Sequence, residues 1–225
     1  MLRNWALSRP VSALNKESTH PVDRMVDRGA GDEMGPFMPP GAVVMHLPSA
    51  LEEILDAPWR PVGTLTLGLA SLGFSLLFIL ALTGSQGWIP LLDGANLLFH
   101  EAGHPLFGIL GWEPLTVLGG TLMQLLVPLV VIGAFWFRRD TLGTAVAGVW
   151  TFENLLNIAR YVADARAQLL PLVGGGEHDW ADLLGRWGCL AQDTRLAQAI
   201  RVAGWIGMLT CWGWLVWRWH ASRQS

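Results

Sequence analysis

Residues 62–82 read VGTLTLGLASLGFSLLFILAL, a run without a single charged side chain. At 1.5 Å of rise per residue, a helix of that length crosses the roughly 30 Å hydrocarbon core of a bilayer. Its only polar members are serines and threonines. This stretch reads as a transmembrane helix, and the rest of the composition agrees with it. Of 225 residues, 52% are hydrophobic and 15% charged, against about 25% charged in an ordinary soluble domain. There are 13 Trp, one Tyr and a single lysine, Lys16. Fifteen Lys and Arg against 18 Asp and Glu give a net charge of -3. That balance, with no clustered basic stripe, excludes a nucleic-acid partner. Two cysteines exclude a disulfide framework.

Working outward, residues 115–137 form a second apolar run, closed by Arg138, Arg139 and Asp140. Residues 143–163 form a third that carries Glu153, Asn154, Asn157 and Arg160. A fourth, 200–219, is dense in Trp towards its end, as membrane-interface belts are. Residues 91–110 are apolar but interrupted by Asp93, Asn96, His100, Glu101, His104 and Pro105. Such a segment either spans or re-enters behind other helices, because lipid does not tolerate exposed polar groups. The expected fold is an all-α, polytopic integral membrane helical bundle. It has four to five transmembrane helices, the count depending on whether 91–110 spans or re-enters.

Residues 1–60 mix charge, Pro and Gly without helical period and read as a mostly disordered tail. Ser49 and Glu52, at capping-box spacing, with Leu51, Ile54 and Leu55, predict one short amphipathic helix before the first span. Residues 61–220 are the expected transmembrane metallo-site domain, and 221–225 a C-terminal tail. Residues 1–30 lack the apolar core of a signal peptide, so the first span acts as the insertion signal. Arg138 and Arg139 put the turn after 137 in the cytoplasm, and Arg218 and Arg223 put the C-terminus there. The 164–199 loop is then outside, on the side where the 91–110 segment ends. If 91–110 re-enters, the N-terminal tail is cytoplasmic as well.

His100-Glu101-Ala102-Gly103-His104 is a His-Glu-x-x-His pattern. Residues four apart share a helix face, so both imidazoles can bind one ion, and Glu101 beside them can take a proton from water and return it to a leaving amine. The plain alternative is two histidines packing a helix. Inside an apolar segment ionisable groups are costly and default to function, which favours metal. Catalytic zinc needs a third protein ligand. His178, in Gly174-Gly175-Gly176-Glu177-His178-Asp179-Trp180, ranks first, then Asp164, then Glu153. Asp179 or Asp164 would accept a hydrogen bond from a ligand imidazole. Glu153, Asn157, Arg160 or Tyr161, and Asp164 form a polar stripe, which interhelical hydrogen bonding explains equally well. Arg160 and Asp164, four apart, can neutralise one another. Trp180 reads as an interfacial anchor of that loop. Gly119, Gly120 and Thr121 suit close helix packing, Asp93-Gly94 suits a helix cap, and no bridge is expected between Cys189 and Cys211.

With its His-Glu-x-x-His inside an apolar helix, the sequence resembles the membrane-embedded zinc metallopeptidases of the broad site-2 protease type. It resembles more closely a group of bacterial multi-spanning proteins with a His-Glu-x-x-His helix followed by a Gly-Gly-Gly-Glu-His-Asp-Trp loop, from about residue 61 to 219. The resemblance implies His100 and His104 as zinc ligands, Glu101 as catalytic base, and a bacterial inner (plasma) membrane. Site-2 proteases take their third ligand from an Asp-Gly motif on a later span. Here Leu92-Asp93-Gly94 precedes the motif and no Asp-Gly follows it, so that ligand does not carry over.

The function these readings lead to is a zinc-dependent membrane metalloendopeptidase, with one Zn2+ per chain held by His100, His104 and His178. Its partners are lipid and a membrane or membrane-proximal protein substrate. The rival is a non-catalytic metal-binding or structural subunit of a larger membrane complex, whose partners are neighbouring subunits.

Overall fold

The computed structural model describes residues 56–84, 88–173 and 176–224. Residues 1–55 of the predicted 1–60 tail, with the short helix expected around 49–55, lie outside the described residues. Among the described residues all regular structure is helical: α1 (Thr64–Thr83), α2 (Pro90–Gly108), α3 (Glu113–Phe137), α4 (Thr141–Ala163), α5 (Asp179–Arg186), a 3-10 turn (Leu190–Gln192) and α6 (Asp193–Ala221). Three helical stretches are long and apolar enough to cross a membrane: Thr64–Thr83, Glu113–Phe137 and Leu190–Ala221. α4 is long enough but carries the polar stripe. α1 leaves Leu65, Leu69, Leu72 and Leu76 more than half exposed, a face that suits lipid and is costly in water.

The helices alternate in direction. Trp212 Nε1 donates to Ser71 Oγ and Trp219 Nε1 to Thr64 Oγ1, so α1 and α6 are antiparallel. Cys211 meets Gly148 and Leu156 meets Gly204, which sets α4 antiparallel to α6. Asp140 caps α4 by accepting from Gly143 N at 2.8 Å, and the tight turn before it takes Arg139 to φ 52°. That turn is tied to the chain ahead of α1, where Arg60 N donates to Arg139 O and Thr141 Oγ1 donates to Arg60 O. The start of α1, the 138–140 turn and the end of α6 therefore share one end of the bundle. The end of α1 and the start of α3 share the other.

The chain between α1 and α3 starts and finishes at that second end, and α2, one continuous helix, runs towards it. α2 packs antiparallel on α3 through a contact only glycine permits. A Cβ on Gly103 would strike the Gly119 carbonyl, and one on Gly119 would come within 2.8 Å of the Gly103 oxygen. The close-packing reading of Gly119 and Gly120 therefore holds. Pro105 sits inside α2, which continues to Gly108. Asp93-Gly94 is not the cap expected: the helix already begins at Pro90 with Ile89 as N-cap, and Asp93, inside the first turn, reaches back so that Oδ2 accepts from Ile89 N at 2.7 Å. The buried face of α2 is Asp93, Asn96, His100 and Gly103, a helical stripe. It lies against the polar stripe of α4.

α5 lies within the 164–199 segment, which carried no helix in the sequence reading. Trp180, Leu183 and Leu184 sink into a cluster with Ile158, Val162 and Ala197 of α4 and α6. Trp180 is 7% exposed, so it is a core side chain and not an interfacial anchor. Each such buried apolar residue contributes about 1.5–3 kcal/mol. This docking holds the α5 N-terminus over the end of α2. Arg166 pins the start of α6 to the same end through Asp193 (2.7 Å). Cys189 and Cys211 are both free.

Candidate metal centre

His100 and His104 stand one turn apart on α2, ring centroids 4.9 Å from each other. Both direct Nε2 at one atom, Oδ2 of Asp179, at 2.8 and 3.4 Å. The three residues offer ligand atoms that all lie within 4.8 Å of one another. Glu101 lines the same cavity, whose volume is about 680 Å³.

The other ring nitrogens explain why Nε2 is the free one. His104 Nδ1 donates to the Thr116 carbonyl at 3.0 Å, and a backbone carbonyl can only accept. His100 Nδ1 faces Gln124 Oε1 at 3.3 Å, and Gln124 donates its amide to Asn157 Oδ1 at 3.0 Å. With the protons on Nδ1, each neutral imidazole points an Nε2 lone pair at a carboxylate oxygen. Two acceptors facing one another are short of a positive charge between them. A divalent cation is one species that can supply it, and acceptors on the far ring nitrogen are what ligand histidines normally have. Two imidazoles and a carboxylate form a donor set suited to zinc.

Gly120 makes room for the pair. A Cβ there would come within 2.6 Å of His100 Nε2 and 2.7 Å of His104 Nε2. A proton on Nε2 can take the place of the cation: burial works against the charge on Asp179, but Nε2–H groups of His100 and His104 donating to the carboxylate outweigh it and hold the carboxyl at about 2. Tyr161 Oη accepts from Asp179 N at 3.1 Å and steadies the backbone of that ligand.

The first-ranked third ligand, His178, is elsewhere. It is the N-cap of α5, its Nδ1 accepting from Ala181 N at 3.2 Å. Its Nε2 faces Asp164 at 3.5 Å, and its ring stacks on Tyr161 at 4.2 Å. Burial pushes its pKa below the ordinary imidazole value, against the attraction of Asp164. Asp179, the next residue, fills the corner expected for His178. Asp164 is also apart from the cluster, since its carboxylate accepts from Leu169 N and Leu170 N, each at 2.9 Å. Glu153 accepts from Asn96 Nδ2 at 3.1 Å, and Asn96 in turn accepts from Trp150 Nε1 at 2.8 Å. That is the interhelical pinning the stripe allowed. Glu101, His100 and His104 stand together as the motif implies. Asn157 belongs to the polar stripe read from the sequence, but its link to His100 through Gln124 was not found there; Thr116 left no signal, because its contribution is a backbone carbonyl.

Comparison of the chain with protein-family models, curated proteins and solved structures finds no match.

Proposed function

We propose that this chain is a membrane-embedded zinc-dependent metallopeptidase whose ion is held by His100, His104 and Asp179. The observation that carries the reading is the convergence of two Nε2 lone pairs on one carboxylate oxygen, with both Nδ1 atoms engaged by acceptors. Zinc, when bound, supplies Lewis acidity and brings the pKa of water at the site towards 7. Glu101, beside the two ligands, would be the group that holds a proton from the attacking water and returns it to the leaving amine. Thr121, Gln124 and Asn157 on the cavity wall orient the peptide group by hydrogen bonding.

In the membrane, α1, α3, α4 and α6 span, and α2 re-enters from the extracytoplasmic side. α4 buries its polar stripe against α2 and α3, as a span with ionisable residues must. The arginine-rich 138–140 turn and the C-terminus face the cytoplasm.

Elemental analysis of detergent-purified protein tests the site. About one zinc per chain, lost in His100→Ala and in Asp179→Ala, supports it; well-folded wild type that takes up no zinc overturns it. Glu101→Gln should keep the metal and lose about 10²–10⁴-fold in peptide hydrolysis. If that variant hydrolyses peptides as wild type does, the activity belongs elsewhere.

A further inference from the structure

The cavity beside the cluster contains a cation that the chemistry above does not use. Arg160 lines it on the α4 side and also lines a second cavity of about 530 Å³. Its guanidinium lies 4.4 Å from the ring centroid of Trp88. Its Nε is buried and has no hydrogen-bond partner. None of the ion pairs among the described residues includes it. Arg160 and Asp164, expected to neutralise one another, form no ion pair. Asp93, Glu153 and Asp164 attract Arg160 through space without forming an ion pair with it: Asp164 spends both oxygens on Leu169 N and Leu170 N, Glu153 Oε2 accepts from Asn96 Nδ2, and Asp93 Oδ2 accepts from Ile89 N while its Oδ1 has no hydrogen-bond partner. The other arginine on the cavity, Arg186, is saturated by Asp182 and Glu113.

An arginine on a cavity wall that forms no ion pair is matched to a planar anion. Its fork meets a carboxylate in a bidentate geometry that an ammonium cannot reproduce. Aromatic stacking holds that fork in place while leaving its edge free. The cavity volume falls in the range of small-ligand sites, roughly 300–1,000 Å³, which suits a short chain end. Leu97, Val117, Ile158 and Leu170 on its walls suit apolar side chains.

We infer that Arg160 binds the free C-terminal carboxylate of a short apolar peptide, placing the last residues of the chain against the His100–His104–Asp179 cluster. The enzyme is then one that trims peptide ends. This rests on the metallopeptidase reading, and binding is the readout that separates the two.

The test uses full-length, zinc-loaded Glu101→Gln protein in detergent, with an N-acetylated tetrapeptide of Ala and Leu as free acid and as C-terminal amide. Titration calorimetry should show the acid binding about 10–100-fold more tightly than the amide. Adding Arg160→Gln should remove the difference, and adding Arg160→Lys should restore only part of it. Equal affinity for acid and amide overturns the inference. So does a preference that survives Arg160→Gln, or no binding of either peptide. Hydrolysis by the wild type is read separately: acid-selective binding without cleavage leaves the anchoring intact and overturns the peptidase.

Discussion

Nε2 of His100 and Oδ2 of Asp179 lie 2.8 Å apart although the residues are 79 positions apart in the chain. The pairing joins a helix that runs towards one end of the bundle to the first turn of a short helix docked over that end. It also separates Asp179 from its neighbour His178, which looks to be the better zinc ligand by residue type.

That separation gives the first prediction. Asp179→Ala should lose zinc, whereas His178→Ala should keep about one ion per chain. The second variant should instead unfold more easily, by about 1 kcal/mol, through loss of the α5 cap. Zinc content and thermal unfolding of the two proteins side by side check this. Zinc lost from His178→Ala and kept in Asp179→Ala would reverse the assignment.

Gly120 supplies a steric test. A methyl at that position must displace both imidazoles, at a cost of about 1–3 kcal/mol if the helices are to stay together. Gly120→Ala should therefore lose most of its zinc while retaining its helical circular dichroism. Gly133→Ala, on the same helix with nothing within 4 Å of the new atom, should behave as wild type.

Gln124 orients His100 from the side away from the cluster. Gln124→Leu removes the acceptor for Nδ1 and frees the ring to take the other tautomer. Losing such a partner typically costs 10–100-fold in metal affinity. Competition with a chelator of known affinity should show a drop of that order, with the metal stoichiometry unchanged at saturation.

Asp179 also predicts a pH dependence of the metal-free protein. Its folded carboxyl is held at about 2, below the ordinary 3.8. The depressed value means that its contribution to stability is complete above about pH 4 and disappears as pH falls towards 2. The shift corresponds to roughly 2 kcal/mol. In chemical unfolding of the zinc-free protein, the stability gap between wild type and Asp179→Asn should narrow by about that amount between pH 5 and pH 2. A gap independent of pH would show that the imidazoles do not hold the charged carboxylate.

Much of this was legible from local pattern. The absence of charge over 62–82 and the apolar runs at 115–137 and 200–219 determined helices long and apolar enough to cross a membrane, because hydrocarbon accepts only backbone that satisfies its own hydrogen bonds. The four-residue spacing put His100 and His104 on one face, since helical periodicity is a property of the chain alone. Glycine at 119 and 120 announced a close helix approach. None of these depends on what lies far away in sequence.

The third corner of the cluster was decided by tertiary structure. Whether position 178 or 179 faces the histidines depends on where α5 begins, because successive residues at a helix start point about 100° apart. That start is set by Trp180, Leu183 and Leu184 burying against α4 and α6, and by His178 spending its ring nitrogen on the cap. The same packing engages Asp164 with Leu169 and Leu170 and leaves Arg160 stacked on Trp88. Residue type and spacing name the groups able to bind a metal or an anion; only the packing of distant helices decides which of them have a lone pair or a proton to spare.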